Sequence, residues 1–317
     1  MSYIVWLDSA DASPARAGGK GASLARLGAA GFPVPPGFAV TVDAYWRFHE
    51  THGLTALVEG LASLPERPAV ADVRAACEPF ASRLAEAALP NEIADAVGAA
   101  FHELRARTGE GATFAVRSSG VSEDSAGASF AGLYESYLNL HTAHEVLDAI
   151  QKCYDCLWQP RAVQYRALKK IDHGKEAMAV VVMQTVPSEV SGVAFSLNPV
   201  TGAHDEVVIN ASWGLGEAVV SGLVTPDNYV ARKDGALLVQ DVFEKHVRVV
   251  AVPSGTMQEE TPQDLVTRPA LDEAQIAQVA TTVAEVEQHY GCPIDVEFAF
   301  DSAGRLYLLQ ARPITTR

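Results

Sequence analysis

The chain has few cysteines, too few basic residues to balance its acidic ones, and no long apolar run, and each shortage excludes a class of protein. Four cysteines among 317 residues, Cys77, Cys153, Cys156 and Cys292, do not make a disulfide framework. Cys153-x-x-Cys156 has no second pair, which argues against zinc and leaves a redox role unsupported. Lys+Arg number 24 against 39 Asp+Glu, a net charge of −15, so diffuse attraction to nucleic acid or anionic lipid is not the main business of this chain. A polyanion would have to be held locally, and neither a nucleic-acid partner nor a membrane is expected. The apolar runs fall far short of the ~20 residues of a bilayer span. The opening residues, Met-Ser-Tyr-Ile-Val-Trp-Leu-Asp, lack the basic n-region of a secretory signal and read as a first strand, so the expected location is cytoplasmic. Glycine and proline are scattered without a period, which argues against a repeat array.

What is present is enough apolar material, 48% of the chain, to fill the cores of two domains. Up to about residue 110 the pattern is mainly helical. Two amphipathic helices are expected across Asp72 to Arg107, broken at Leu89-Pro90-Asn91. Phe114-Ala115-Val116 then reads as a strand feeding a loop rich in Ser and Gly from Ser118 to Gly132. Helix returns over Ala143–Leu168, and Ala177–Gln184 is an apolar run of buried-strand length. Strands follow near Gly192–Leu197, Glu206–Asn210, Asn228–Ala231 and Leu237–Phe243. A helix near Leu271–Gln288, with Ile276, Val279, Val283 and Val286 on one stripe, precedes a final hairpin. The order predicts an α+β protein in two lobes, 1–185 and 186–317.

The terminal hairpin can be registered from sequence. Ile294–Phe300 and Arg305–Ala311 flank a turn, and a two-residue loop at Ala303-Gly304 would set Glu297 opposite Gln310 and Asp295 opposite Arg312. Alternation then puts Val296, Phe298 and Phe300 on one face with Tyr307 and Leu309, and the four polar groups on the other. Two readings are open. One is the solvated face of an edge hairpin. The other is a site for a hard cation, in which a carboxylate and an amide oxygen suit Mg²⁺, Arg312 forks onto phosphate and Asp295 orients it.

Four separated segments carry a more specific signal. They are Gly18-Gly19-Lys20-Gly21-Ala22-Ser23-Leu24 with Pro33-Val34-Pro35-Pro36-Gly37-Phe38; Phe114-Ala115-Val116-Arg117-Ser118-Ser119 through Ser129-Phe130-Ala131-Gly132; Ser191-Gly192-Val193-Ala194-Phe195-Ser196 with Trp213-Gly214-Leu215-Gly216-Glu217; and Gln310-Ala311-Arg312-Pro313-Ile314-Thr315. Together they resemble the ATP-grasp nucleotide-binding domain of the phosphoenolpyruvate synthase, pyruvate phosphate dikinase and rifampin phosphotransferase family. Each also has a reading of its own. Lys20 after two glycines, opening a helix, offers a cation beside free N–H groups. Arg117 at the root of a small-residue loop suits a triphosphate, because backbone N–H groups can approach the oxygens there.

The resemblance implies a two-lobed ATP-grasp fold that binds ATP with Mg²⁺. It implies that Lys20, Arg117 and Arg312 neutralise phosphate charge in catalysis, that Glu297 and Gln310 hold the metal, and that Gly132 and Ser136 line the nucleotide pocket, a hydroxyl being retained where relatives often have threonine. Gln184 and the backbone at Val186 are implied to read the adenine edge at a hinge. Dikinase chemistry is implied as well: AMP is released and a phosphoryl group goes to a histidine on a swivelling domain, then to a small molecule such as pyruvate, a phenol or an antibiotic hydroxyl on an acceptor-binding domain. No Gly-Gly-x-x-x-His-Ala-type segment occurs in the sequence, so those partners are expected on a longer chain or a separate subunit. The alternatives are an ATP-grasp ligase forming an acyl-phosphate and an ATP-sensing module without turnover.

Overall fold

The computed structural model describes residues 2–122, 135–253 and 255–314. The described chain divides into two compact units, Met1–Ala25 with Pro36–Gln184, and Arg26–Pro35 with Thr185–Arg317.

The first unit runs β1 (Ile4–Trp6), α1 (Pro14–Ala29, its last turn counted with the second unit), β2 (Gly37–Val40), α2 (Val42–Thr51), α3 (Thr55–Leu61), α4 (Val70–Leu84), α5 (Asn91–Thr108), β3 (Phe114–Gly120), β4 (Ser136–Leu140), α6 (Ala143–Cys156), α7 (Pro160–Lys169) and β5 (Met178–Gln184). The helical reading of the first hundred residues and the break before Asn91 hold, while the pattern over 143–168 is two helices parted at Gln159-Pro160. Proline there cannot continue α6 but is preorganised to start α7. The strands form an antiparallel sheet in the order β1-β2-β5-β3-β4. β5 sits at the centre, which explains its unbroken apolar run: Val180 and Val182 join the helical core with Phe114, Val116, Phe101 and Tyr154, while Val181 meets α1 on the other face.

The second unit runs β6 (Ser188–Phe195), β7 (Glu206–Trp213), α8 (Glu217–Val220), β8 (Asp227–Arg232), β9 (Leu237–Asp241), β10 (Val247–Ala251), β11 (Thr256–Glu260), α9 (Gln263–Val266), α10 (Glu273–Tyr290), β12 (Ile294–Asp301) and β13 (Leu306–Pro313). Its six-stranded antiparallel sheet has the order β13-β12-β6-β7-β8-β9, and β10 with β11 forms a separate hairpin. The expected stripe of α10, Ile276, Val279, Val283 and Val286, is buried against that sheet. Asp272 and Gln275 close a capping box at its start, and Gly291 in the left-handed region ends it. The segment before β10 is fixed by a fully buried ion pair. Asp227 accepts from Lys245 Nζ at 2.6 Å and from the N–H groups of Phe243 and Ala270, so both charges are partnered inside the unit.

The α+β composition with antiparallel sheets matches the expectation from sequence. Among the described residues no helix is long and apolar enough to cross a membrane.

Candidate functional site

In the first unit the candidate residues gather at the end of β3. α1 is not continuous: at Gly18 the backbone takes φ 69° and ψ −177°, and the helix restarts at Gly19-Lys20-Gly21. A side chain at Gly18 is impossible without rearrangement, because a Cβ there would lie 2.0 Å from the Ser119 carbonyl oxygen. Ser119 holds the kink from the other side. Its hydroxyl donates to the Ala17 carbonyl at 2.8 Å and accepts from the Gly21 N–H at 3.2 Å. Lys20, only 9% exposed, is stretched onto the same strand end, its Nζ donating to the Ser118 carbonyl at 3.0 Å. The Gly-Gly-Lys-Gly run therefore marks a helix restart clamped to β3, and an ammonium placed beside Arg117.

Arg117 is partly buried, and the β3–β4 register sets Ser136 directly opposite it. By alternation Arg117 shares a sheet face with Ser119, the face that meets the restarted helix. Lys20, Arg117 and Ser136 are thus brought together. Gln184 is not: it closes β5 opposite Phe114, three register positions from Arg117, and its N–H is taken by the Pro36 carbonyl at 2.9 Å. Val186 is buried in the second unit, where its carbonyl accepts from the Ser188 hydroxyl at 3.1 Å. Gly132 lies outside the described residues.

In the second unit the hairpin β12–β13 pairs Glu297 with Gln310 and Asp295 with Arg312, as expected. The route to that register differs from the expectation. Asp301 N–H donates to the Arg305 carbonyl at 3.1 Å and Gly304 N–H to the Asp301 carbonyl at 2.9 Å, so the loop is three residues long, with Gly304 at φ 72°. Near the turn the partners are one residue off: Phe298 faces Leu308 and Phe300 faces Leu306. A bulge between Glu297 and Phe298, absorbed at Leu309, restores the register that the polar pairs need. Tyr307 and Leu309 consequently leave the core face, and Leu306 and Leu308 take it, 4% and 1% exposed.

The polar face of the hairpin has a graded burial. Gln310 is 4% exposed, whereas Glu297 and Arg312 are partly exposed. Arg312 holds Asp295 through Nε at 2.8 Å and Nη2 at 2.7 Å, both to the same carboxylate oxygen. Burial raises the Asp295 carboxyl above its ordinary range, Arg312 pulls it down, and the nearby Glu297 pushes it up again. Alternation along β12 puts Asp295 and Glu297 on one face. A carboxylate and a buried amide side by side offer hard oxygen donors. Two side chains supply few oxygens, so this pair fits a cation that keeps most positions for water and substrate, the habit of Mg²⁺.

The glycine-rich segment after β7 is tied down rather than open. The Ser191 hydroxyl donates to the Gly214 carbonyl at 2.8 Å, Leu215 N–H donates to Val249, and the Thr256 hydroxyl donates to the Glu217 carboxylate at 3.1 Å. Sequence reasoning missed Ser119 as the clamp on the kink. The available signal was a second serine directly after Arg117-Ser118, at the position that alternation returns to the face of Arg117.

These two clusters, cations at a glycine-clamped helix restart and a carboxylate–amide pair beside a forked arginine, can be set against known proteins. Residues 14–317 match the family described as pyruvate phosphate dikinase, AMP/ATP-binding domain. The chain belongs to that family. The resemblance read from four motifs is borne out, and the chain carries an AMP/ATP-binding domain of that family. It is 40% identical over 320 residues to a probable phosphoenolpyruvate synthase of Methanocaldococcus jannaschii, covering 100% of this chain and 27% of that one. It is 38% identical to the phosphoenolpyruvate synthase of Pyrococcus furiosus, covering 94% and 42%, and 35% identical to the uncharacterized phosphotransferase YvkC of Bacillus subtilis, covering 99% and 35%. The chain thus spans less than half the length of each of these relatives. The solved D-cycloserine synthetase DcsG, at TM-score 0.33, 15% identity and coverage of 91% and 59%, is too distant to carry any argument.

Proposed function

We propose that the chain binds Mg²⁺·ATP and passes a phosphoryl group to a histidine on a swivelling domain, with release of AMP, for onward transfer to a small acceptor on a further domain. The observation that carries this reading is the hairpin pairing of Glu297 with Gln310 beside the Asp295–Arg312 fork. Glu297 and Gln310 would hold the metal, which when bound supplies charge neutralisation for the phosphates. Arg312, oriented by Asp295, brings a guanidinium to phosphate oxygen. Lys20 and Arg117 bind phosphate from the first unit, where Lys20 Nζ is stretched onto the Ser118 carbonyl at the end of β3. Ser136, Gly132, Gln184 and the Val186 backbone are assigned to the nucleotide pocket, the last two to the base. Phosphoryl transfer needs little covalent help from the protein, so these roles are positioning and electrostatics. An imidazole nitrogen attacks the β-phosphorus, the bridge to the α-phosphorus breaks and AMP leaves; the pyrophosphoryl group on the histidine then loses its γ-phosphate to water as orthophosphate, which leaves the phosphohistidine.

Calorimetric titration of ATP tests the reading. Affinity should fall at least about tenfold when EDTA replaces Mg²⁺, and Glu297→Ala should remove that difference while leaving adenosine binding nearly unchanged. Arg117→Ala and Arg312→Ala should each weaken ATP by roughly 1.5–3 kcal/mol without a matching loss for adenosine. Equal ATP affinity with and without metal would remove the assignment of Glu297 and Gln310.

A further inference from the structure

A cavity of about 670 Å³ lies in the first unit, and none of the residues assigned to the nucleotide lines it. One wall is a face of α2, where Asp43, Trp46, Arg47 and Glu50 recur at helical spacing. Another face of α2 is buried through Val42, Ala44, Tyr45 and Phe48, so the helix keeps its polar and aromatic side, His49 included, for the cavity. Glu59 of α3, Tyr3, and His173 and Gly174 of a 3₁₀ turn at His173–Lys175 supply other parts of the lining.

The charges in this lining do not balance. Three carboxylates, Asp43, Glu50 and Glu59, stand against one guanidinium. Arg47 is already committed, its Nε donating to Glu92 at 2.8 Å and its Nη1 lying 3.6 Å from Glu50. The two lining histidines add no positive charge, since burial pushes both His49 and His173 down to about 4. Arg166 fixes the tautomer of His173. Its Nε–H donates to His173 Nδ1 at 3.1 Å, which leaves the imidazole proton on Nε2. Trp46, 36% exposed, and Tyr3 give the cavity aromatic walls.

We propose that this cavity binds a small organic cation, an ammonium group carried on an aromatic or aliphatic body. Trp46 and Tyr3 offer π faces to the cation, the unbalanced carboxylates offset its charge, and the His173 Nε2–H gives one donor to a polar substituent. Nucleotides and other anions are rejected by the same lining. The site is independent of the nucleotide reading, because it uses none of those residues.

The test uses benzyltrimethylammonium as probe, with benzyl alcohol and benzoate as neutral and anionic counterparts carrying the same ring. Binding is followed by tryptophan fluorescence and by the shift in unfolding temperature. Saturable binding of the cation is expected, about tenfold or more tighter than benzyl alcohol, with no binding of benzoate. Trp46→Ala should abolish the fluorescence response and weaken binding seen by unfolding temperature, Trp46→Tyr should retain most of the affinity, and Glu50→Gln with Glu59→Gln should weaken the cation but not the alcohol. Equal affinity for the three compounds, affinity unchanged in Trp46→Ala, or displacement of the probe by saturating Mg²⁺·ATP would each overturn the proposal.

Discussion

Asp155 shows how single groups set the pH response of the fold. Burial, helped by the charge of Glu135, raises its carboxyl to about 6, and its buried Oδ1 has no hydrogen-bond partner. A carboxyl whose folded value lies above its unfolded one stabilises the fold at low pH and loses that contribution as pH rises through about 6. His49 and His173 act with the opposite sign. Both are held neutral in the fold, to about 4 against an ordinary 6.5, so their contribution is present above 6.5 and is lost as pH falls toward 4. Between these values the slopes oppose one another. Asp155→Asn should therefore raise the unfolding temperature at pH 7.5, by roughly 1 kcal/mol of stability once partial exposure is allowed for. Its advantage should shrink toward pH 4, and its acid loss should be steeper than that of wild type. Thermal melts of both proteins from pH 4 to 8 check this, and parallel curves would show that Asp155 carries no buried charge.

Among the elements, α1 and the terminal hairpin show what the sequence makes legible and what it hides. The glycine run at Gly18–Gly21 signals an irregular helix start, but nothing local reveals that β3 passes so close that Ser119 clamps the kink. Gly18→Ala should therefore cost more than the ~1–2 kcal/mol of a left-handed backbone, since the added carbon meets a backbone oxygen at 2.0 Å. Gly31→Ala is the matched control: its φ of 85° is also left-handed, yet its Cβ would meet nothing within 4 Å, so only the ~1 kcal/mol of backbone strain applies. Urea midpoints of the two variants should separate clearly, and equal losses would mean that the Ser119 contact yields freely. In the hairpin the pairs Glu297–Gln310 and Asp295–Arg312 are legible because alternation and a turn signal constrain them. The three-residue loop and the bulge at Leu309 are not, because their single-residue offsets cancel at the polar end and appear only in which of Tyr307 and Leu308 is buried. β10 and β11 are hidden for a different reason: they form a two-stranded sheet of their own and, Val249 apart, bury little, so they carry no core alternation to read.

For the whole molecule, composition alone gives the sign of the long-range field, and chemistry must work against it. A net charge of −15 repels a nucleotide at a distance, whereas Lys20, Arg117 and Arg312 act only close by. These two ranges respond differently to salt. The Debye length shrinks from about 30 Å at 0.01 M ionic strength to about 8 Å at 0.15 M, so added salt removes the distant repulsion before it weakens contacts at hydrogen-bond distance. If the chain binds Mg²⁺·ATP as proposed, its association rate should rise over that interval, opposite to the behaviour of a basic nucleotide site. The dissociation rate should rise too, as charge-assisted bonds are screened, so the equilibrium affinity should change less than either rate. Arg117→Ala should then act mainly on dissociation, because it removes a local contact from a field set by the whole surface. Stopped-flow mixing across the salt series separates the two rates. An association rate that falls with salt would mean that the local cations, not the net charge, govern the approach of the nucleotide.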